Sequence, residues 1–158
     1  MSKRAENLSE RIASLKDKII AFVEELSDQD WNAKTEWEQW TVGVAARHLG
    51  AGHLGFSKML GMVIQGKELP QLTMDQINAM SDKDAREHAD CTKAEALHEL
   101  RKNGAEMVAF VAGLSDDELD RKGSMPAFGG EASVNQLIEF ILFQSAQQHF
   151  DSMKAAVN

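Results

Sequence analysis

The sequence predicts an all-α protein: an antiparallel four-helix bundle with one additional short helix between bundle helices two and three. Three observations lead there. Apolar residues recur at steps of three and four along most of the chain, which stacks them on one face of a helix. Helix-start signals stand at the head of successive apolar stretches. Two prolines and no tyrosine leave little that argues for strands. At 158 residues the chain is expected to form one helical domain over 1–158, because a single core still grows efficiently at this length.

The first helix is marked by Leu8, Ile12, Leu15, Ile19, Phe22, Val23 and Leu26, and Ser27-Asp28-Gln29-Asp30 interrupts it. A second helix is expected after Thr41 and runs to about Gln65, where Gly66 supplies a stop. Thr73-Met74-Asp75-Gln76 and Thr92-Lys93-Ala94-Glu95 have capping-box form, in which the Thr hydroxyl and the fourth side chain satisfy free amides reciprocally. The first opens the short helix, to about His88. The second opens a long one through Leu97, Leu100, Met107, Val111 and Leu114. Ser133-Val134-Asn135-Gln136 opens the last, with Ile138, Ile141, Leu142 and Ser145 forming its inward stripe. Leu26-Ser27-Asp28 and Leu114-Ser115-Asp116 echo one another, as duplicated halves would, although capping chemistry alone gives the same letters.

Composition narrows the function. Seventeen Lys and Arg against 25 Asp and Glu give a net charge of −8. That balance repels phosphate backbones and anionic lipid, so neither nucleic acid nor a membrane is an expected partner. No apolar run approaches the ~20 residues that cross a bilayer, and the charged amphipathic start lacks a signal core, so a cytoplasmic location is expected. Cys91 is the only cysteine, which excludes an internal disulfide and a cysteine-based zinc site.

Helix two is apolar or small over most of its circumference, with glycine at 43, 50, 52, 55 and 61. Such a helix is covered on most sides, either within the bundle or by a second subunit, so a homodimer is expected. Each glycine costs up to about 1 kcal/mol relative to alanine, which close helix approach or space for a ligand would offset.

The five histidines carry the candidate chemistry. His88 follows Asp84 by one turn near a helix end and reads as a surface residue. Glu95-Ala96-Leu97-His98 looks like half of a di-iron motif, but the last helix lacks the second copy and Glu95 serves the capping box. His48 shares a stripe with Val44, Ala45, Gly52, Gly55 and Met59, and His149 continues the inward stripe of the last helix. Two inward histidines either hold a metal through neutral imidazole nitrogens or are satisfied core residues. His53 lies about 140° round the helix from His48 and cannot readily share its ion. Met59, Met62 and Phe128 are candidates to line an apolar pocket, or else pack in the core. Trp31, Trp37 and Trp40 read as packing anchors, and the segment from Gly123 to Glu131 as a loop over the pocket.

Leu26-Ser27-Asp28-Gln29-Asp30-Trp31, Trp37, Trp40-Thr41-Val42 and His48-Leu49 resemble the opening of DinB-like proteins, grouped with mycothiol-dependent maleylpyruvate isomerase N-terminal domains. The resemblance extends over essentially the whole chain and is most specific from Trp40 to His48. It implies a four-helix bundle, often dimeric, in which three histidines surround a divalent metal such as zinc or nickel. Members transfer low-molecular-weight thiols, isomerise thiol adducts, or are taken to be metal-dependent hydrolases. His48 matches the ligand of the second helix and His149 the later ligand of the last. The earlier one corresponds to Ser145, a neutral and weak donor. Either Ser145 orients a metal-bound water, or another side chain completes the site, or the metal has been lost. The expectation is a metal-dependent thiol transferase or hydrolase holding a divalent ion at His48 and His149. The alternative is a non-catalytic dimeric bundle that binds a small molecule or partner.

Overall fold

A computed structural model describes residues 2–157. Helix α1 (Lys3–Glu24) starts where the Ser2 hydroxyl accepts from the Ala5 amide, and it buries Leu8, Ile12, Ile19 and Val23. A short α2 (Asp28–Trp31) precedes α3 (Val42–Ile64), which Thr41 caps. Then come α4 (Met74–Glu87), α5 (Lys93–Ala112) and a short α6 (Asp116–Asp120). The last helix has three consecutive parts: α7 (Val134–Leu137), a π-helical stretch (Ile138–Ser145) and α8 (Ala146–Ala156). Capping boxes close at Thr73, Thr92 and Ser133, where the sequence places helix starts. Two more close at Ser27 and Ser115, so the segment expected to interrupt helix one is itself a short helix.

Helices α1, α3, α5 and α7–α8 make the bundle, with α5 packed along both α1 and α3. The core falls into two clusters along the bundle. One joins Leu8, Ile12, Phe56, Leu60, Met107, Val111, Leu137 and Leu142. The other joins Ile19, Val23, Val42, Ala46, Leu49, Leu100, Phe150 and Met153. A third, small group of Val44, Ala85 and Cys91, packed against Trp31 and Trp40, fastens the C-terminal half of α4 over the start of α3. Among the described residues no helix is long and apolar enough to cross a membrane.

Two expectations are corrected. The Gly123–Glu131 segment is a β-hairpin, not an open loop: β1 (Lys122–Met125) pairs antiparallel with β2 (Gly130–Ser133), Lys122 opposite Ser133 and Met125 opposite Gly130. A 3-10 turn at Pro126–Phe128 and the left-handed Gly129 (φ 74°) reverse the chain, a conformation glycine adopts without steric cost. The hairpin is tied to the α3–α4 connection by the Ala127 amide, which donates to the Leu72 carbonyl at 2.9 Å.

The inward stripe of the last helix also differs. In a π-helix each hydrogen bond reaches one residue further than in an α-helix, so the period lengthens. The buried positions become Ile138, Leu142 and Ala146, followed by His149, Phe150 and Met153. Ile141 and Ser145, expected on that stripe, are only half-buried. Arg11 flanks the π segment, donating to both carboxylate oxygens of Glu139 at 2.6 and 2.9 Å with its guanidinium 4.0 Å over Phe143.

The α3 glycines separate into two kinds. Gly43 lies under the Trp31 indole, and a Cβ at Gly50 would stand 2.8 Å from the Leu100 backbone nitrogen. Gly52, Gly55 and Gly61 have no such neighbour within 4 Å. Gly50→Ala therefore forces α3 and α5 apart and is expected to cost about 1–3 kcal/mol. Gly55→Ala adds helix propensity without a clash and is expected to stabilise by up to about 1 kcal/mol. Urea unfolding midpoints of the two variants should move in opposite directions; a shared direction would contradict the helix contact.

Candidate functional site

Between α2 and α3 the chain doubles back on itself. Lys34 bridges to Thr41, the Thr35 amide donates to the Trp40 carbonyl at 2.7 Å, and the Val42 amide donates to the Ala33 carbonyl at 2.8 Å. Thr35 is fully buried, and its hydroxyl accepts from the Trp40 amide. The four residues at the tip, Glu36 to Gln39, are thereby projected toward α8. Gln39 has a φ of 62°, a region non-glycine residues rarely occupy, and its side-chain amide donates to the Glu36 carbonyl at 2.7 Å.

This tip meets His149 of α8, which stands beside His48 of α3. The rings of His48 (α3) and His149 (α8) stand 4.9 Å apart, centroid to centroid, at 61°. Trp40 lies edge-on to His48 at 5.0 Å and stacks parallel to His149 at 5.9 Å, while Trp37 covers His149 at 4.9 Å. His149 Nδ1 donates to Glu38 Oε2 at 2.8 Å, and the Ser152 hydroxyl donates to Glu38 Oε1 at 2.5 Å. The Glu38 side chain is 4% exposed and that of His149 11%. Trp37, by contrast, is 57% exposed and walls an open groove of about 820 Å³ between the tip and α8. Gln148, Ser152 and Ala155 form the opposite wall.

The remaining candidates lie elsewhere. Ser145 is half-buried one turn before His149, and Ala146 takes the buried place beside it. Met59, Met62 and Phe128 pack against the other core cluster. Met59 and Met62 stand eleven and fourteen residues beyond His48, about 16 and 21 Å along α3. The bundle thus does not bring them to the histidine pair. His88 sits on the surface against Asp84, which also accepts from Arg47 at 2.8 Å. Cys91 is buried, and burial pushes its thiol up. The sequence reading did not single out Glu38 or Ser152. The signal available for Glu38 was an acidic residue between two tryptophans in a short inter-helix segment.

The donor set can be weighed against the metal that the resemblance implies. An ion bonded to two imidazole nitrogens at about 2.0–2.1 Å, with a tetrahedral angle, leaves the ring centroids about 5.2 Å apart. The observed 4.9 Å is close to that value. Among the described residues, however, no three His, Cys, Asp or Glu side chains are grouped to hold a metal. On ring spacing alone the pair is compatible with two ligand positions of a divalent ion, and it does not form a three-histidine centre.

Electrostatics keeps one of the pair uncharged. Burial, and secondarily the proximity of the His149 ring, lower the His48 pKa from 6.5 to about 4. Burial alone would raise the Glu38 carboxyl, but the bonds from His149 and Ser152 outweigh it and the net direction is downward. His53, further along α3, is lowered to about 4 by burial and then by Lys16, and its buried Nδ1 has no hydrogen-bond partner. Between about pH 6.5 and 4 the unfolded chain binds protons that folded His48 and His53 refuse. Stability is therefore held above that window and lost as pH falls through it. Urea midpoints should drop between about pH 7.5 and pH 5, and His53→Leu should flatten the drop. Equal midpoints at the two pH values would show that these rings are not held neutral.

The comparisons with known proteins come to the same architecture. A family model described as the mycothiol maleylpyruvate isomerase N-terminal domain matches residues 12–139. Among curated proteins none matches the sequence. Among solved structures, YfiT from Bacillus subtilis superposes with a TM-score of 0.78 at 16% identity, covering 99% of this chain and 87% of that one. YfiT is described as a probable metal-dependent hydrolase with an unusual four-helix bundle topology. At that identity the likeness is one of fold, whereas the family match takes in the Trp40–His48 segment and three of the bundle helices and ends at residue 139, before Ser145 and His149. The chain belongs to the mycothiol maleylpyruvate isomerase N-terminal domain family of DinB-like four-helix bundles.

Proposed function

We propose that the chain is a metal-dependent enzyme of the thiol-transferase or hydrolase class, with a divalent ion, zinc or nickel, held by His48 and His149. The observation that carries this reading is the approach of the two rings to 4.9 Å beside the indoles of Trp37 and Trp40. The description of YfiT as a probable metal-dependent hydrolase supports the same class. When bound, the ion supplies Lewis acidity, which brings the pKa of a coordinated water or thiol toward neutrality.

The rest follows from the chain's own groups. His48 is uncharged at neutral pH because protonation would bury a cation beside His149, so its lone pair stays available. Trp37 and Trp40 shield the His149 ring and limit the water that competes at its free nitrogen. Only two protein nitrogens are engaged, so the remaining coordination positions stay open to substrate. The groove beside Trp37 offers a small molecule a place to bind next to the turn that carries Glu38.

A second reading is favoured by one observation: Ser145, in the place of the third histidine, is half-buried and offers a neutral hydroxyl. On that reading the scaffold binds a small molecule or partner without catalysis. Elemental analysis and zinc and nickel titration of chain purified without chelator separate the two. We expect about one ion per chain, lost in His48→Ala and in His149→Ala, and tighter uptake in Ser145→His. Wild-type protein that takes up neither metal would overturn the enzymatic reading and leave the binding scaffold.

A further inference from the structure

We propose that Glu38 is the positioning residue of the histidine pair: presented by the left-handed turn at Gln39 and braced by Ser152, it fixes His149 as its Nδ1–H tautomer and leaves Nε2 as the nitrogen that carries the lone pair. The inference rests on the reading that the two histidines form the functional centre, and it holds whether or not a metal is bound.

The chemistry is one of satisfied valences. An ionised carboxylate only accepts hydrogen bonds, so a nitrogen 2.8 Å from Glu38 Oε2 must bear the proton. A neutral imidazole has a single N–H, and the lone pair therefore falls on Nε2. Glu38 cannot readily swing away, because its other oxygen accepts from Ser152 and its side chain is almost wholly out of water. The carboxylate reaches this place from the tip of the turn rather than from a helix. The positive φ of Gln39 returns the chain to Thr35 immediately after Glu38, and the Gln39 side-chain amide closes the turn on the Glu36 carbonyl. Ring orientation through a carboxylate of this kind typically changes metal affinity by about 10- to 100-fold when it is removed.

The test uses the full chain, free of metal, in spectra collected from about pH 8 upward so that the neutral form of each ring is observed. Long-range nitrogen–proton NMR spectra identify the tautomer of each histidine. Wild-type His149 is expected as a single Nδ1–H form. Glu38→Ala should bring in the Nε2–H form, and Glu38→Gln, whose amide oxygen still accepts, should restore the wild-type signature. Gln39→Gly should leave the signature unchanged and Gln39→Val should disturb it, because valine resists positive φ. Near-UV circular dichroism checks that each variant is folded, and the glutamine variant keeps the test valid if the alanine one is not. A wild-type His149 in the Nε2–H form, or a tautomer unmoved in folded Glu38→Ala, would overturn the proposal. Zinc titration adds a separate readout, with affinity expected to fall about 10- to 100-fold in Glu38→Ala. A tautomer change in protein that takes up no metal upholds the positioning role and rejects the metal reading alone.

Discussion

The candidate site depends on one contact, the buried pair between Glu38 and His149. A carboxylate taken out of water costs several kcal/mol unless its oxygens are met by donors in good geometry. Both oxygens of Glu38 are met, one by an imidazole and one by a hydroxyl from the same face of α8. That requirement holds the turn before α3 against α8, because in this placement both oxygens are satisfied while the side chain is almost wholly out of water. The rest of the site follows. Trp37 and Trp40 flank Glu38 in sequence, so seating the carboxylate seats both indoles against His149. Trp40 also reaches His48 and donates its ring N–H to Asp82, which extends the same anchoring to α4.

Much of the fold was legible because its determinants are local. Steps of three and four gave the long helices, and hydroxyl residues with Glu or Gln three places on marked three of their starts correctly. What escaped depends on geometry that letters carry weakly. The β-hairpin rests on Gly129 and Gly130, which read equally well as a loop, and on eight residues with little strand character. The π stretch leaves no mark in a pattern read at 3.6 residues per turn, and it changes which residues face inward. The inward pointing of His48 and His149 was within reach of periodicity. Glu38 was not, because a side chain in a connecting segment has no period, and its direction is set by a single backbone angle at Gln39.

The two ends of the bundle are chemically unlike. Around Leu60, Met107 and Leu137 the interior is built mainly from apolar side chains, and Met59 and Met62 pack against it. At the other end a polar cluster is embedded next to Val42, Ala46 and Phe150. The division has an energetic logic. An apolar end supplies stability without specificity, and burying a carboxylate and two imidazoles is affordable only if the rest of the core holds them in register. The close seating of Gly43 under Trp31 and of Gly50 against α5 shows where α3 is held most tightly, within about a turn and a half of His48.

The difference between this site and a three-histidine centre lies in where its third polar group comes from. At Ser145 a half-buried hydroxyl stands at the end of the π stretch, and the buried position beside it belongs to Ala146, which offers no donor. The last helix thus gives one imidazole to the interior, not two. The carboxylate that accompanies it arrives from the turn before α3 and binds the far nitrogen of the ring, so it acts on His149 rather than beside it. On the metal-dependent reading proposed above, two helices would each give one nitrogen while a turn supplies the charge, with fewer donors for an ion but more open positions around it. The open groove between Trp37 and Ser152 lies against that same turn and the same face of α8, so the contacts that seat Glu38 also shape the groove.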